Sequence, residues 1–413
     1  MVDTDGAINC CCIATSNLLS DAEHIKTTSL KDAWKSKSMY QLRKKMLNGK
    51  KSDGCSVCYT EEKFGKQSYR LKHNKEWEER LGTEKFNNLI QHYKVDGPPV
   101  YLDLKLGNKC NLKCRSCNPY SSDQIANEHF NLYSTNNQYH AWYETNHGKN
   151  PIWMQDKLYL NQFEDNPNLW DSVFEWMPYL KKIYVTGGEP TLIKKNIEFL
   201  TACADKGYAK QISLFLNTNC TTFNKKFVDA LAKFDDNSHC LGSIDGIGKV
   251  NEYIRGNSKW TIVEKNYTKY LKLNNIKSYI TPVLQIYNLN SIHEILIYAN
   301  KLSNFVGKQI GVDILINYHQ KFLDVRNLPI KLRQNALNNL NKCKDEFTFN
   351  EHSTNSIEGA ITFLQEPQLP DYKQNLNDFV TLTEIYDKKR NQSFNDIDEK
   401  LYTELKCLIK KIT

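Results

Sequence analysis

The chain has 413 residues, of which 25% are charged and 40% hydrophobic, with a formal net charge of +8; this is the make-up of an ordinary globular protein with room for two or three domains. The charge is modest for the length and the lysines are scattered, so composition does not mark a nucleic-acid or acidic-membrane binder. The opening MVDTDGAINCCC lacks the basic start, apolar run and small-residue cleavage site of a secretory signal, and no later run is long enough to span a bilayer, so a cytoplasmic protein is expected.

Thirteen cysteines are not expected to form disulfides in a reducing compartment, where clustered thiols hold metal instead. Eight fall in two groups, Cys10, Cys11, Cys12, Cys55 and Cys58, then Cys110, Cys114 and Cys117. The other five, Cys203, Cys220, Cys240, Cys343 and Cys407, are scattered and read as small hydrophobes.

In chain order, residues 1–95 form a first unit. There Ser29 caps a single predicted helix, LKDAWKSKSMYQLRKKML, which ends near Gly49 and leads to Cys55 and Cys58. From Val100, short apolar runs alternate with amphipathic segments, the mark of parallel strands joined by crossover helices. Strands are predicted from Val100, Lys182, Gln211, Cys240, Ser278 and Ile310, and helices from Asn196, Asn224, Thr261 and Ser291. Six such units over residues 96–330 predict an open partial barrel with its chemistry at the strand C-terminal ends. The first crossover, 118–180, is long and rich in aromatics, either a lid or substrate-recognition insertion or a passive surface excursion. A helical extension is predicted over 331–413.

Directly after the first strand comes NKCNLKCRSC, Asn108 to Cys117, with the spacing C-x3-C-x2-C. A structural zinc site closes with four ligands, whereas three thiolates on a 4Fe-4S cube leave one iron open. The second strand runs into TGGEP, where Gly187 and Gly188 permit close backbone approach and Glu189 offers an anion; taken in isolation, these residues favour a plain strand-to-helix turn started by Pro190. The third strand ends in NTNC with Asn217 and Asn219, and the fourth in GSIDG with Ser243 and Asp245. Arg255 follows in YIRG, as a planar bidentate donor or as a surface arginine.

Taken together, these motifs resemble the radical S-adenosylmethionine (radical SAM) superfamily from about residue 100 to 329. The resemblance implies an α/β fold, a partial (β/α)6 barrel of the radical SAM type with a small N-terminal cysteine-bearing domain and a helical C-terminal extension. It implies a 4Fe-4S cluster on Cys110, Cys114 and Cys117, with S-adenosylmethionine chelated at the open iron. Gly187, Gly188 and Glu189 would face the methionyl ammonium, Ser243 and Asp245 the ribose and nearby substrate, and Arg255 the carboxylate, with Asn217 and Asn219 as polar contacts at a TNG-like position. The implied chemistry is reductive cleavage to a 5'-deoxyadenosyl radical, which abstracts hydrogen from an unidentified peptide, protein side chain or small metabolite, in an oxidation or other modification. A low-potential electron donor such as flavodoxin or ferredoxin is implied as partner; neither membrane nor nucleic acid is. No catalytic residue is singled out.

Two departures stand in the pattern: Ser116 precedes the third cysteine where relatives carry a large or aromatic residue, and Cys220 replaces the glycine of a TNG-like motif, as a reactive thiol or a tolerated small residue. Upstream, GAINCC with CSVC resembles the twitch or SPASM-type domains that hold an auxiliary iron-sulfur cluster. Cys11, Cys55 and Cys58 match its ligand positions, and the fourth ligand is open. A zinc knot on the same thiolates is the alternative at that site. For the whole chain the alternative is a zinc-binding, cysteine-rich nucleic-acid-binding protein without redox chemistry.

Overall fold

The computed structural model describes residues 1–14, 23–63, 67–91, 97–149, 165–317 and 320–412. Six parallel strands form one sheet: β1 (Tyr101–Lys105), β2 (Lys182–Thr186), β3 (Ser213–Thr218), β4 (Ser238–Gly242), β5 (Ile276–Ile280) and β6 (Gly311–Val312). Each pairs with its neighbour in sequence, from Tyr101 opposite Lys182 to Ile280 opposite Val312, which leaves β1 and β6 as the edges. This is an α/β fold consistent with a partial barrel of six units. The last strand is shorter than IGVDILIN suggests; after Val312 the chain leaves the main sheet, and Leu315–Ile316 pairs with Val283–Leu284 in a separate two-stranded ladder.

The strands alternate because the two faces of a pleated sheet meet different surroundings. Leu102, Leu104, Ile183, Val185, Leu214 and Leu216 are buried with Trp170, Val173, Phe199, Leu200, Phe227 and Leu231 in one core. Those partners lie on the crossover helices α8 (Pro167–Trp176), α9 (Lys194–Asp205) and α10 (Lys225–Leu231). The intervening positions, Tyr101, Lys182, Tyr184, Phe215, His239, Leu241 and Tyr279, instead line a cavity of about 620 Å³ on the concave face. A second core surrounds α12 (Trp260–Leu271) and α13 (Ile292–Val306) and continues into the C-terminal helices α14 (Ile330–Glu346), α15 (Glu351–Gln365), α16 (Tyr372–Arg390) and α17 (Glu399–Ile412). Fully buried Leu340, Leu364 and Phe379 belong to it.

Near the N-terminus the expected single helix is two, α1 (Leu30–Trp34) and α2 (Lys37–Leu47). Ser29 caps the first by accepting from Asp32 N, as the sequence suggests. Ser36 then takes an extended conformation and accepts from Met39 N, so the chain restarts a helix where a continuous one was expected. The extreme N-terminus adds to the barrel itself: Val2 N donates to Asp103 O, and Lys105 N donates to Val2 O. Downstream of α3 (Ser56–Lys63), α4 (Tyr69–Leu81) lies against the concave face, where Glu76 binds Lys182 at 2.8 Å and Arg80 at 3.0 Å.

The long first crossover is largely helical in its described part, with α6 (Asp123–Thr135) and α7 (Asn137–His147) before α8. Its aromatic residues have a packing role there, since Tyr139 and Tyr143 are buried against Leu382, Ile385 and Tyr386 of α16. Residues 150–164 of that crossover lie outside the described residues. No helix among the described residues is long and apolar enough to cross a membrane.

Candidate active site

Strand β1 ends at the loop that carries the three cysteines, and backbone hydrogen bonds hold this loop on two sides. On one side Gly188 N donates to Gly107 O and Glu189 N to Lys109 O, both at 2.8 Å; on the other, Arg115 N donates to Ile254 O at 2.8 Å. Cys114 pairs antiparallel with Arg255. Within the loop, Asn108 Nδ2 donates to Pro119 O, and Cys110 N donates to the Asp123 carboxylate at the start of α6.

Gly187 and Gly188 also make room for the protein's own backbone. A Cβ on Gly187 would lie 2.5 Å from Leu106 N, and one on Gly188 2.2 Å from Lys109 O. What fills that space is the backbone of the cysteine loop. The glycines therefore dock the second strand's turn against the first.

Cys110, Cys114, Cys117, Gly187, Gly188, Glu189, Asn219, Ser243 and Arg255 all line one cavity of about 170 Å³, together with Ser116, Asn217 and Thr218. The sequence separates them over nearly 150 positions; the parallel sheet brings them to one rim. Asp245 is absent from the lining. It is fully buried, accepts from Val283 N, and lies 2.9 Å from Arg255 Nε, so it holds the arginine from behind. The Arg255 Nη1 donates toward Cys114 Sγ at 3.8 Å. Burial disfavours that guanidinium charge, but Asp245 and then Cys114 outweigh it and raise the pKa.

Burial pushes the Cys110 thiol up to about 12. It also raises Cys114 and Cys117, although the Arg255 charge works against it at both. Glu189 is 1% exposed, and its Oε1 accepts from Thr191 N, Thr191 Oγ1 and Thr218 Oγ1, its Oε2 from Asn219 N. Burial raises its carboxyl while these donors favour the anion. Asn219 Nδ2 bridges to Asn111 Oδ1 at 3.0 Å and toward Cys110 Sγ at 4.0 Å.

Cys220 has φ 58°, the left-handed backbone that favours glycine. Its thiol is fully buried, donates to Thr218 O, and is raised well above its ordinary value by burial. It is a small core residue with none of the marks of a reactive thiol.

The sequence reading missed Arg115. Its side chain is fully buried inside the CRSC turn, with Nη2 2.5 Å from Asp387 on α16 and its guanidinium 3.8 Å from the centre of the Tyr253 ring. A charge placed between two closely spaced cysteines was the available signal.

The N-terminal thiols also converge. Cys10, Cys11, Cys12, Cys55 and Cys58 line a cavity of about 370 Å³ with Trp34, Tyr69, His73, Trp77, Tyr101 and Asp103. Burial, then the neighbouring Cys55, pushes Cys10 up to about 11, whereas a hydrogen bond from Cys12 lowers Cys11. Among the described residues no three His, Cys, Asp or Glu side chains form the ligand set of a single metal ion. A 4Fe-4S cube takes each thiolate on a separate iron.

Residues 104–299 match the family described as the radical SAM superfamily. A search of curated proteins finds no match. Among solved structures, SuiB of Streptococcus suis bound to S-adenosylmethionine is 17% identical, over 57% of this chain and 47% of that one, with a TM-score of 0.33. The enzyme anSMEcpe with bound AdoMet and the Cp18Cys peptide is 16% identical over 60% and 59%, with a TM-score of 0.34. TYW1 with a lysine-pyruvate adduct is 12% identical over 60% and 72%, with a TM-score of 0.30. The alignment to SuiB spans about half the length of that protein. At these scores the likenesses add nothing to the domain match.

Proposed function

We propose that this protein is a radical SAM enzyme in which Cys110, Cys114 and Cys117 hold a 4Fe-4S cluster and the surrounding cavity holds S-adenosylmethionine. The observation that carries this reading is the convergence of three half-buried thiols with Glu189, Asn219, Ser243 and Arg255 on one cavity at the C-terminal rim of a parallel sheet. The donor set fits: thiolates are the usual ligands of such a cluster, and three leave one iron open. When bound, the cluster supplies a low-potential electron and an open coordination site for reductive cleavage of S-adenosylmethionine to a 5'-deoxyadenosyl radical.

The chain's own residues bind and orient. Arg255 favours the thiolate form of Cys114, beside which its Nη1 lies. Glu189 holds Asn219 and Thr218 at the rim, and its Oε2 has spare acceptor capacity for an ammonium group. Asp245 keeps Arg255 aimed at the cysteine loop. In this reading the substrate enters the concave cavity of about 620 Å³, whose wall of Tyr184, Phe215, His239 and Tyr279 offers aromatic and polar contacts to a peptide side chain or a small metabolite.

The N-terminal cavity supports a second part of the proposal, an auxiliary iron-sulfur cluster on Cys11, Cys55 and Cys58 with Cys10 and Cys12 within the same lining. The division into units 1–95, 96–330 and 331–413 belongs to the proposal too, with the amendment that Val2 pairs with the barrel edge at β1. Anaerobic reconstitution with iron and sulfide, followed by reduction in the presence of S-adenosylmethionine, tests the whole. Formation of 5'-deoxyadenosine is expected; a colourless protein that holds zinc and leaves S-adenosylmethionine intact would overturn it.

A further inference from the structure

Outside the residues that match the family, the C-terminal helix α16 reaches the cysteine loop through a buried charge pair. Arg115 sits between Cys114 and Ser116, and its side chain is fully buried. A guanidinium without water must find its partners in the protein, because an unpaired buried charge is strongly destabilising. Its partners are supplied from two directions. Asp387 Oδ1 accepts from Nη2 at 2.5 Å and Gln392 Oε1 from the same nitrogen at 3.1 Å, both from the C-terminal extension. Tyr253 O accepts from Nε at 3.1 Å, and the Tyr253 ring lies under the guanidinium.

Asp387 does not serve Arg115 alone. The same Oδ1 accepts from Tyr253 Oη at 2.9 Å, while Oδ2 accepts from Phe394 N at 2.7 Å. One carboxylate thereby fixes both Arg115 and Tyr253. These residues flank the short antiparallel ladder in which Cys114 faces Arg255, and Arg255 is the residue that donates toward Cys114 Sγ. A second buried pair repeats the link three residues along: Arg390 binds Glu128 of α6 at 2.5 Å, and Glu128 lies 3.8 Å from Lys113 of the loop.

We propose that Asp387 is a positioning residue for the three-cysteine site, acting through Arg115 and Tyr253 to set where Cys114 and Arg255 stand. The proposal rests on the radical SAM reading and goes beyond it, because it assigns a role to the C-terminal extension. Removing the charge while keeping the shape, as in Asp387→Asn, leaves Arg115 buried beside a neutral amide and loosens the register between loop and ladder. Displacement of a binding group by about 1 Å costs about a hundredfold in rate.

The test uses the full-length, reconstituted protein and reads the change in its electron paramagnetic resonance spectrum on adding S-adenosylmethionine, alongside iron content and 5'-deoxyadenosine formation. In Asp387→Asn the iron content should match the wild type, the spectral change on adding S-adenosylmethionine should be altered, and cleavage should fall by between about tenfold and a hundredfold. Asp387→Glu, which keeps the charge, should recover part of the loss. Leu340→Ala, in the core of the extension and remote from the loop, controls for general destabilisation: it should lower the melting temperature and leave the spectral change as in the wild type. An unaltered spectrum and cleavage rate in Asp387→Asn would overturn the proposal, as would the same spectral alteration in Leu340→Ala. If the wild type itself neither responds to S-adenosylmethionine nor cleaves it, the radical SAM reading fails, a different result from either of those.

Discussion

The two groups of thiols are built in opposite ways. In the barrel, Cys110, Cys114 and Cys117 sit on one short loop, pinned by backbone hydrogen bonds from Gly188, Glu189 and Arg115 and by the pairing of Cys114 with Arg255. At the N-terminus, Cys10 to Cys12 and Cys55 to Cys58 come from two segments far apart in sequence and meet across a cavity with Trp34, Tyr69 and Trp77. The first site is preorganised by the sheet rim. Thiols brought together without a ligand desolvate one another and gain little in return, so the proposed cluster would add to the second site's stability more than to the first's. The lesson is that a motif compact in sequence can be shaped by the fold alone, whereas one assembled from distant segments needs the packing of both to meet.

The largest expected effect separates the two sites outright. Changing Cys110, Cys114 and Cys117 together to alanine should abolish 5'-deoxyadenosine formation while the N-terminal iron remains; product retained at the wild-type level would remove the assignment. The reciprocal variant, with Cys11, Cys55 and Cys58 changed to alanine, should hold about half the iron of the wild type, since each cube carries four irons, and should still cleave S-adenosylmethionine. Equal iron in the two proteins would reduce the N-terminal unit to a zinc knot or an apo fold.

Iron removal by a chelator sharpens the contrast in dynamics. Hydrogen exchange should rise more at residues 8–14 and 53–63 than at 106–117, because the barrel loop is tied by backbone bonds to the turn after β2 and to Ile254. Similar loss of protection at both would break the comparison. Glu189→Ala should cost about 3 kcal/mol of stability by orphaning donors from Thr191, Thr218 and Asn219. Denaturant unfolding measures it, and a neutral result would mean that water replaces the carboxylate.

The smallest effect is a pH dependence where the N-terminal unit meets the barrel. Burial alone would raise the Glu76 carboxyl, but hydrogen bonds from His73 and Lys182 hold it down to about 2, against 4.5 ordinarily. A folded-state pKa below the unfolded one stabilises fully above pH 4.5 and loses that contribution as pH falls toward 2. The Glu76 side chain is 27% exposed, so solvent screens part of this, and Glu76→Gln should remove about 1 to 2 kcal/mol at neutral pH and flatten the acid limb of the stability curve. Identical acid limbs in variant and wild type would show that α4 does not bear on the barrel through this carboxylate.

Much of the fold was legible because its signals are local. The apolar runs from Lys182, Gln211 and Ser278 each become a strand, and the segments from Asn196, Asn224, Thr261 and Ser291 become α9, α10, α12 and α13. The single helix expected after Ser29 was not, because Ser36 carries both a helical-interior and a capping signal, and its local geometry favours the cap. The aromatic crossover gave no hint of its partner: Tyr139 and Tyr143 find α16 some 240 positions later, a distance over which periodicity carries no information.

What the sequence by itself determined is the chemistry available: three thiols at a tight spacing after a strand, an acidic GGEP turn, an asparagine and a serine at later strand ends, and an arginine beyond them. These follow from residue type and short-range spacing, which need no tertiary partner to read. The tertiary structure alone decided how those groups are used. It fills the space beside Gly187 and Gly188 with the cysteine loop's own backbone, turns Asp245 away from the cavity to hold Arg255, and places Asp387 of the last third of the chain against Arg115. The physical reason is the same in each case. A buried charge or a close backbone approach is satisfied by whichever group the packing of distant elements brings within 3 Å, and that choice is made by the sheet and its helices together, at separations where one segment's sequence cannot specify another's position.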